Sequence, residues 1–383
     1  MLHVAQISFF LDQQGREPEQ LLHDWTSLVD VAEAAAGAGV RVSVIQACAY
    51  RQQLTRNGVD YYFLAPDEVV PTIADSPAFD ELIRHLGVDV LHVHGLGFVA
   101  DILALANLAP GVPIIVQDHA NRPPRIWRRH LSRRALAKIS ALAFCASAQA
   151  QPFIESAVVP AGMPVYEIPE STSRFTPSDR AEARRVTGLQ GDPCLLWIGH
   201  LNENKDPLTV LEGVSEAARQ LPGLQMWCCF GTAPLLRHVQ NRIVTDPMLS
   251  GRVHLLGRIP HERVELLMRA SDLFVLGSHR EGSGYSLIEA LACGLPPVVT
   301  DIASFRTLTG GGAVGRLWPC GDARSLTVAL LSMAAQSRLQ ARAAVRTHFD
   351  AELSFEAVGR KLAAAYRDLW LRNMERTSAR QSS

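Results

Sequence analysis

The chain has 383 residues and a mass of 41.8 kDa, which is too long for one ordinary hydrophobic core, so we expect two domains. Hydrophobic residues make up 48% and charged residues 20%, a balance that excludes an intrinsically disordered chain. The formal net charge of -1 gives no support for a nucleic-acid partner, and no apolar run reaches the roughly 18 residues of a membrane-spanning helix.

The N-terminus and the cysteines both bear on the cellular compartment. The first residues lack the charged region of a secretory signal and lead directly into a strand-like pattern. The seven cysteines are scattered, form no CxxC pair and fall mostly in apolar runs, which predicts buried, reduced thiols in place of disulfides or a metal site. We therefore expect a reducing compartment, the cytoplasm.

The first half of the chain alternates short apolar runs with helix-length segments, which predicts a parallel α/β sheet. A helix is predicted over residues 21–36, with Gly37 or Gly39 as its C-cap. The predicted strands cover residues 2–8, 41–47, 60–64, 90–94, 114–117, 142–146 and 164–168.

The second half repeats this alternation after a segment rich in proline and hydroxyl residues, 169–177, which is typical of a linker. Its predicted strands cover residues 194–199, 224–230, 253–256, 273–276, 297–300 and 313–317. We therefore predict two Rossmann-like domains followed by a helix that crosses back to the first domain and a flexible tail. The predicted bounds are 1–169, 178–353, 354–372 and 373–383.

The most informative stretch is EGSGYSLIEALACGLPPVV, which begins at Glu281 and lies between two predicted strands. Gly282 and Gly284 let the backbone approach a ligand closely or adopt positive φ, and residues 286–293 then have the pattern of a short helix. The amides and the positive dipole end at the start of such a helix suit a phosphate. Glu289 is placed to accept hydroxyl protons from a ribose. The alternative is a strand–turn–helix with solvent-facing glutamates, but two glutamates that bracket the turn favour the functional interpretation.

Two segments resemble the family 4 glycosyltransferases. The first is similar to the family's Glu-x7-Glu motif, EGFGLPxLEAMACGxPVV. The second, LWIGHLNENKDP, is similar to a strand ending in G-R-L-x-x-x-K, with Lys205 in place and His200 in place of the arginine. The resemblance implies the GT-B fold, an α/β fold of two Rossmann-like, doubly wound parallel-sheet domains facing each other across a cleft. It also implies retaining transfer of a sugar from a nucleoside diphosphate sugar to an acceptor hydroxyl.

The resemblance assigns roles to the residues of both segments. Glu289 would bind the nucleotide ribose and Glu281 the donor sugar, while Lys205 and His200 would bind the diphosphate. The alternative for Lys205 is a solvated surface lysine, which its register with the first segment disfavours. The backbone amides expected at the diphosphate are those of Gly282, Ser283, Gly284, Tyr285, Ser286 and Leu287.

Weaker resemblances cover the first half of the chain. VLHVHG is similar to the family's D-V-x-H-x-H segment and VQDHA to a strand ending in T-x-H-D, which implies that His119 faces the transferred sugar. The alternative is that His92, His94 and His119 are strand-end histidines satisfied by the backbone. The family's Gly-Gly loop after the first strand is replaced by FLDQQGR, in which Gly15 would lie near the donor phosphates. The candidate catalytic residues are Glu281, His119 and Lys205.

A basic segment over residues 122–138 contains no acidic residue, and Trp127 and Leu131 are among its apolar residues. The pattern predicts a basic amphipathic helix that lies on an anionic membrane, at its inner face, where a lipid-linked acceptor would be found. The equally weighted alternative is an ordinary solvated helix over the sheet. The cationic residues are Arg122, Arg125, Arg128, Arg129, Arg133, Arg134 and Lys138.

The resemblance leads us to expect a hexosyltransferase-type enzyme in cell-surface polysaccharide or glycolipid synthesis, acting on a carbohydrate or lipid-linked acceptor. No Asp-x-Asp motif appears in a suitable place, so we expect no metal and no other cofactor. Two alternatives stay open: a nucleotide-sugar epimerase on the same fold, and a non-catalytic sugar-nucleotide-binding protein. A nicotinamide dehydrogenase is disfavoured because no G-x-G-x-x-G follows the first strand.

Overall fold

The computed structural model describes residues 1–65, 73–120 and 122–381 of the protein. The chain divides into two compact units. Met1–Thr172 together with Phe355–Ser383 form unit 1, and Ser173–Ser354 form unit 2. Each unit is an α/β structure with helices packed around a largely parallel sheet.

Unit 1 begins with alternating strands and helices. Its strands are β1 (His3–Ser8), β2 (Arg41–Ala47), β3 (Gln52–Arg56), β4 (Val59–Leu64), β5 (Val90–His94), β6 (Ile114–Gln117), β7 (Ala141–Phe144) and β8 (Val165–Glu167). Its helices in this part are α1 (Pro18–Asp24), α2 (Thr26–Gly37), α3 (Pro77–Leu86), α4 (Val99–Leu108), α5 (Arg129–Leu136) and α6 (Gln151–Glu155). The sheet order is β3-β4-β2-β1-β5-β6-β7-β8, and β3 pairs antiparallel to β4.

Unit 2 repeats the alternation with a smaller sheet. Its strands are β9 (Cys194–Ile198), β10 (Gln225–Cys229), β11 (Val253–Gly257), β12 (Leu273–Leu276), β13 (Pro297–Thr300) and β14 (Arg316–Trp318), in the order β11-β10-β9-β12-β13-β14. Its helices are α7 (Arg180–Thr187), α8 (Pro207–Ala218), α9 (Leu236–Thr245), α10 (His261–Ala270), α11 (Tyr285–Ala292), α12 (Ala303–Leu308), α13 (Ala323–Ala334) and α14 (Arg338–Glu352). The central strands are buried on both faces, as parallel strands covered by helices must be.

The final helix, α15 (Phe355–Gln381), belongs to unit 1 although it follows unit 2 in the chain. It packs against α2, and Val358, Leu362, Tyr366 and Leu369 are buried in the core of unit 1. The sequence predicted a helix ending at 372 and a tail, but the helix continues to Gln381. The extension has a physical reason, since residues 373–381 include neither glycine nor proline to end the helix.

The predicted strands 41–47, 90–94, 114–117, 273–276 and 297–300 have the bounds found in the structure. The predicted strand 313–317 lies instead at Arg316–Trp318, because the preceding glycines adopt positive φ and hold the chain in a turn. Strand β3 was missed. Its turn to β4 is Asn57-Gly58, both at positive φ, which is a hairpin signal readable from the sequence.

Three other predicted segments differ from the structure. The helix predicted over 21–36 is two helices, because Trp25 leaves the helical conformation and its ring packs against Phe10 and beneath Arg16. The predicted linker does contain the boundary between the two units, at Thr172–Ser173, but its first part is not exposed, since Glu170, Ser171, Thr172 and Ser173 are buried. The predicted thiols are free, and six are buried, but Cys320 is exposed.

Candidate functional site

The glycine-rich turn of the first segment leads directly into α11. Gly284 is the N-cap of α11 with φ 84, and a Cβ there would lie 2.6 Å from a ring carbon of Phe305, so no other residue fits without displacement. Gly282 and Ser283 are buried beside it, whereas Tyr285 is exposed. The glycine-rich turn therefore leads into the amino end of α11, the positive end of its dipole, and binding of the donor diphosphate there stays a prediction.

Glu281 and Lys205, two of the predicted catalytic residues, contact each other directly. Lys205 Nζ donates to Glu281 Oε1, and the two side chains are 15% and 14% exposed. The contact joins the loop after β9 to the loop after β12, at the carboxyl edge of neighbouring strands. Because this ion pair is largely shielded from water, the loss of either charge would leave the other charge buried and unpaired. A ligand that binds Lys205 or Glu281 must therefore supply the charge that the displaced partner provided.

The loop that carries Lys205 is fixed by its own hydrogen bonds. Asn202 Oδ1 accepts from the Lys205 amide at 3.0 Å, and the His279 amide donates to the Asn204 carbonyl at 2.8 Å. Asp206, at φ 46, caps α8 by accepting from the Thr209 amide. These contacts hold the lysine in position before any ligand arrives, which lowers the entropy lost on binding.

Glu289, the predicted ribose ligand, pairs with a residue that the sequence analysis did not single out. His261 Nε2 lies 2.6 Å from Glu289 Oε1, and the His261 ring lies 5.0 Å from the ring of Phe175. His261 is the first residue of α10 and follows a proline, so the turn before α10 aims its ring at α11. The sequence signal for this contact was the position of His261 directly after the turn formed by residues 257–260.

His200, the residue at the family's arginine position, has a defined hydrogen-bonding role. Its Nδ1 accepts from the Thr232 amide at 3.1 Å, and Gly231 packs against the ring, where a Cβ would lie 3.3 Å from Cε1. Because Nδ1 accepts a hydrogen bond, the proton of the neutral ring is on Nε2. His200 therefore offers one N–H donor, where an arginine would offer a fixed charge.

Three histidines of unit 1 meet at the ends of β5 and β6. His94 Nδ1 lies 3.1 Å from His119 Nε2, and the rings of His92 and His94 stack with centroids 4.4 Å apart. His119 Nδ1 in turn lies 2.7 Å from Glu170 Oε2. These contacts are all made to other side chains and not to the backbone.

The two inner histidines are held neutral by burial. Desolvation lowers the pKa of His92 to about 3, and it lowers the pKa of His94 well below its usual value. The hydroxyl of Tyr366, from α15, lies 2.6 Å from His92 Nδ1 and accepts from Gln6 Nε2 at 3.1 Å. The terminal helix therefore takes part in the polar network that ends at His119.

The loop after β1 is organised by an ion pair. Asp12 accepts from the Arg16 guanidinium at 2.9 Å and from the backbone amides of Gln14 and Arg16, and the Arg16 contact lowers the pKa of Asp12 to about 2. Gly15 occupies the tight turn with φ 64. The loop thus has a fixed shape with a single glycine, and the proposed role of Gly15 near phosphates remains a prediction.

Comparison with known proteins gives the same assignment for both units. The model of glycosyl transferases group 1 matches residues 179–347, and that of glycosyltransferase family 4 matches residues 25–164. The chain belongs to the family 4 glycosyltransferases. This confirms the family predicted from the Glu281 and Lys205 segments.

Individual relatives of this family member are distant. It is 32% identical over 201 residues to D-inositol 3-phosphate glycosyltransferase of Geodermatophilus obscurus, covering 50% of the chain and 44% of the relative. It is 25% identical to a GDP-mannose:cellobiosyl-diphosphopolyprenol alpha-mannosyltransferase of Xanthomonas oryzae, covering 63% of the chain and 62% of the relative. The match thus spans less than two thirds of either relative.

The fold comparison extends over nearly the whole chain. The structure of Anabaena HepE in complex with UDP superimposes with a TM-score of 0.71 at 15% identity, covering 96% of this chain and 100% of that one. The GT-B fold predicted for this chain is therefore confirmed.

The basic segment differs from its prediction. Its α-helix covers only Arg129–Leu136 and follows a 3-10 turn at Ile126–Arg128, and Pro123 and Pro124 keep the residues at the start of the segment out of a helix. Trp127 is 70% exposed and Leu131 is 45% exposed, whereas Ala135 and Leu136 are buried. With the start of α4 the segment lines a pocket of about 840 Å³ that is open to solvent on one side, and Arg122, Arg125, Arg128 and Trp127 are among its lining residues.

Within residues 1–65, 73–120 and 122–381, no group of three or more acidic, histidine or cysteine side chains is arranged to hold a metal ion. In the same ranges, none of the helices is both long and apolar enough to cross a bilayer.

Proposed function

We propose that the protein is a retaining glycosyltransferase that moves a sugar from a nucleoside diphosphate sugar to an acceptor hydroxyl. The observation that carries this proposal is the cluster at the carboxyl edge of the unit 2 sheet. There the Lys205–Glu281 ion pair joins two adjoining loops, and the second of these loops leads into the amino end of α11, the helix that carries Glu289. Family membership supports the same chemistry.

The proposed chemistry follows from the charges. Negative charge builds on the diphosphate as the bond to the sugar breaks, and the amino end of α11, Lys205 and the Nε2–H of His200 are suited to stabilise it. Glu281, once it is released from Lys205, would accept a hydrogen bond from a hydroxyl of the donor sugar. Glu289 would accept hydrogen bonds from the ribose hydroxyls, which would replace its contact with His261. His119 would contact the transferred sugar.

The first experiment measures donor binding. Glu289→Ala removes the proposed ribose contacts and opens no core, so donor affinity should fall by a factor set by hydrogen bonds of about 1.5–3 kcal/mol each to a charged group. The matched control is Glu262→Ala, an exposed glutamate on α10. Calorimetry that finds the same affinity for Glu289→Ala and for the control would refute the assignment.

The donor and acceptor are proposed only as classes. Relatives and structural neighbours are named for GDP-mannose and for UDP, so a panel of uridine and guanosine diphosphate sugars is the rational starting set. A relative named for a diphosphopolyprenol acceptor supports testing lipid-linked as well as soluble carbohydrate acceptors, in cell-surface polysaccharide or glycolipid synthesis. Product analysis by NMR should show the donor's anomeric configuration retained, and inversion would refute the mechanism.

The proposal requires no divalent metal, because Lys205, His200 and the α11 amides supply the positive partners for the diphosphate. Transfer should therefore survive EDTA. A loss that magnesium or manganese restores would show that a metal stabilises the leaving group.

The same assays separate the rival functions. An epimerase would convert the donor sugar without any acceptor, whereas a non-catalytic protein would bind the donor and show no turnover. Transfer that depends on the acceptor excludes both.

Peripheral contact with an anionic membrane on the cytoplasmic side is a further part of the proposal. Its support is the acid-free run of cationic residues and the exposed Trp127. Co-sedimentation with phosphatidylserine vesicles should exceed that with neutral vesicles, and equal binding to both would exclude the contact.

A further inference from the structure

Glu170 lies in the segment after β8 and reaches the end of β6. Its Oε2 lies 2.7 Å from His119 Nδ1, and its side chain is only 7% exposed. On the other side of the same ring, His119 Nε2 lies 3.1 Å from His94 Nδ1. Both nitrogens of His119 are therefore engaged by side chains of unit 1.

These contacts determine where the ring protons lie. A carboxylate only accepts hydrogen bonds, so His119 Nδ1 carries a proton and donates it to Glu170. In the neutral ring, Nε2 is then an acceptor, and His94 donates from its Nδ1. His94 Nε2 is left as a bare lone pair, and this atom is buried without a hydrogen-bond partner.

The opposite proton arrangement is less favourable. If His119 donated from Nε2, the proton of the neutral His94 would move to its own Nε2, which has no acceptor there. A buried N–H without an acceptor is more costly than a bare acceptor atom, and desolvation opposes a second proton on His94. The stacked ring of His92, bound to Tyr366, prevents His94 from turning away to find another partner.

We propose that Glu170 is a positioning residue that fixes His119 as the tautomer protonated on Nδ1 and, with His94 at Nε2, holds its ring in one orientation for contact with the transferred sugar. The last part rests on the proposed function, since it assumes that His119 meets the sugar. The first part depends only on the contacts within unit 1.

The test of the first part is spectroscopic and needs no substrate. In protein labelled with 15N-histidine, long-range 1H–15N spectra distinguish the two neutral tautomers, and the His119→Gln spectrum assigns the His119 signals. The parent should show His119 protonated on Nδ1. In Glu170→Gln, which keeps the size of the side chain but can also donate, the tautomers should mix.

Glu167→Gln is the matched control, because this exposed glutamate is the last residue of β8, lies close to Glu170 in the chain and accepts from the Ser147 amide. It should leave the His119 signals unchanged. A parent protonated on Nε2, or a Glu170→Gln spectrum identical to that of the control, would overturn the positioning role whether or not the protein transfers sugars.

The second part is tested by steady-state kinetics with the donor that the panel identifies. Glu170→Gln should lower kcat/KM by about tenfold to a hundredfold, the range expected when a hydrogen bond to a charged group is lost. Glu167→Gln should leave kcat/KM unchanged. A shifted tautomer with unchanged kcat/KM would show that His119 does not contact the sugar, even though Glu170 orients it. Loss of kcat/KM with a shifted tautomer supports both parts.

Discussion

Substitution of Gly359 is the most direct test of how α15 packs on α2. A Cβ built on this glycine would lie 2.2 Å from the carbonyl oxygen of Ala34 and 3.2 Å from Cβ of Ala38. Both neighbours belong to the end of α2, whose backbone cannot rotate away as a side chain could. Gly359→Ala must therefore push the two helices apart.

Two opposing effects set the magnitude. Alanine is favoured over glycine inside a helix by about 1 kcal/mol, which would stabilise the variant. Overpacking a tight contact costs about 1–3 kcal/mol, and a separation below 3 Å from backbone belongs to the severe cases. We expect a net loss of up to about 2 kcal/mol in the free energy of unfolding of unit 1.

Hydrogen–deuterium exchange of α2 and α15 peptides measures this loss locally, with unit 2 peptides as an internal reference. A loss of one or two kcal/mol corresponds to exchange faster by a factor of about 5 to 30. Ala364→Gly, at an exposed position of the same helix, measures the propensity effect alone. If Gly359→Ala slows exchange as much as Ala364→Gly accelerates it, the substitution has only the helix-propensity effect. That result would contradict the close contact between Gly359 and Ala34.

Three further predictions concern charged and titrating groups. Because His92 has a pKa of about 3 in the folded state, only the unfolded state binds this proton between pH 6.5 and pH 3. The free energy of unfolding should therefore decrease by about 1.4 kcal/mol for each pH unit that the solution is acidified within this range. In a series of urea-unfolding measurements at different pH values, His92→Gln should show a smaller dependence of stability on pH. An unchanged slope would show that His92 does not titrate on unfolding. Asp12→Asn should accelerate amide exchange at Gln14 and Arg16, which lose a carboxylate acceptor, and equal protection would contradict the loop geometry. His200→Ala should weaken donor affinity measured by calorimetry, whereas an unchanged value would remove His200 from the diphosphate site.

The strands and the donor segments were predictable because their signals are local. A buried parallel strand is a short apolar run, as at β5 and β12, and the Gly284 turn with Glu281 and Glu289 lies within one continuous stretch. The resemblance then placed Lys205 in the same register. In the structure Lys205 and Glu281 contact each other.

The partners of the site residues were not predictable, because they come from distant parts of the chain. Glu170 was counted in a polar linker, yet it is buried against His119, and His261 reaches Glu289 only after the turn before α10 is formed. The split at Trp25 was missed for a similar reason. The helical periodicity of the sequence continues through Trp25, but the contacts of Trp25 with Phe10 and Arg16 outweigh helix propensity.

The position of α15 in the chain has a consequence for biosynthesis. Unit 2 is one continuous segment, so it can fold as soon as Ser354 has left the ribosome, whereas unit 1 lacks α15 until the residues after Ser354 have also left it. Until then, the core residues of the nascent unit 1 that will pack against Tyr366 and Leu369 remain exposed to water. The usual order, in which the N-terminal part is completed first, is thereby reversed. A ribosome stalled after residue 354 should carry a protease-resistant unit 2 and a protease-sensitive unit 1.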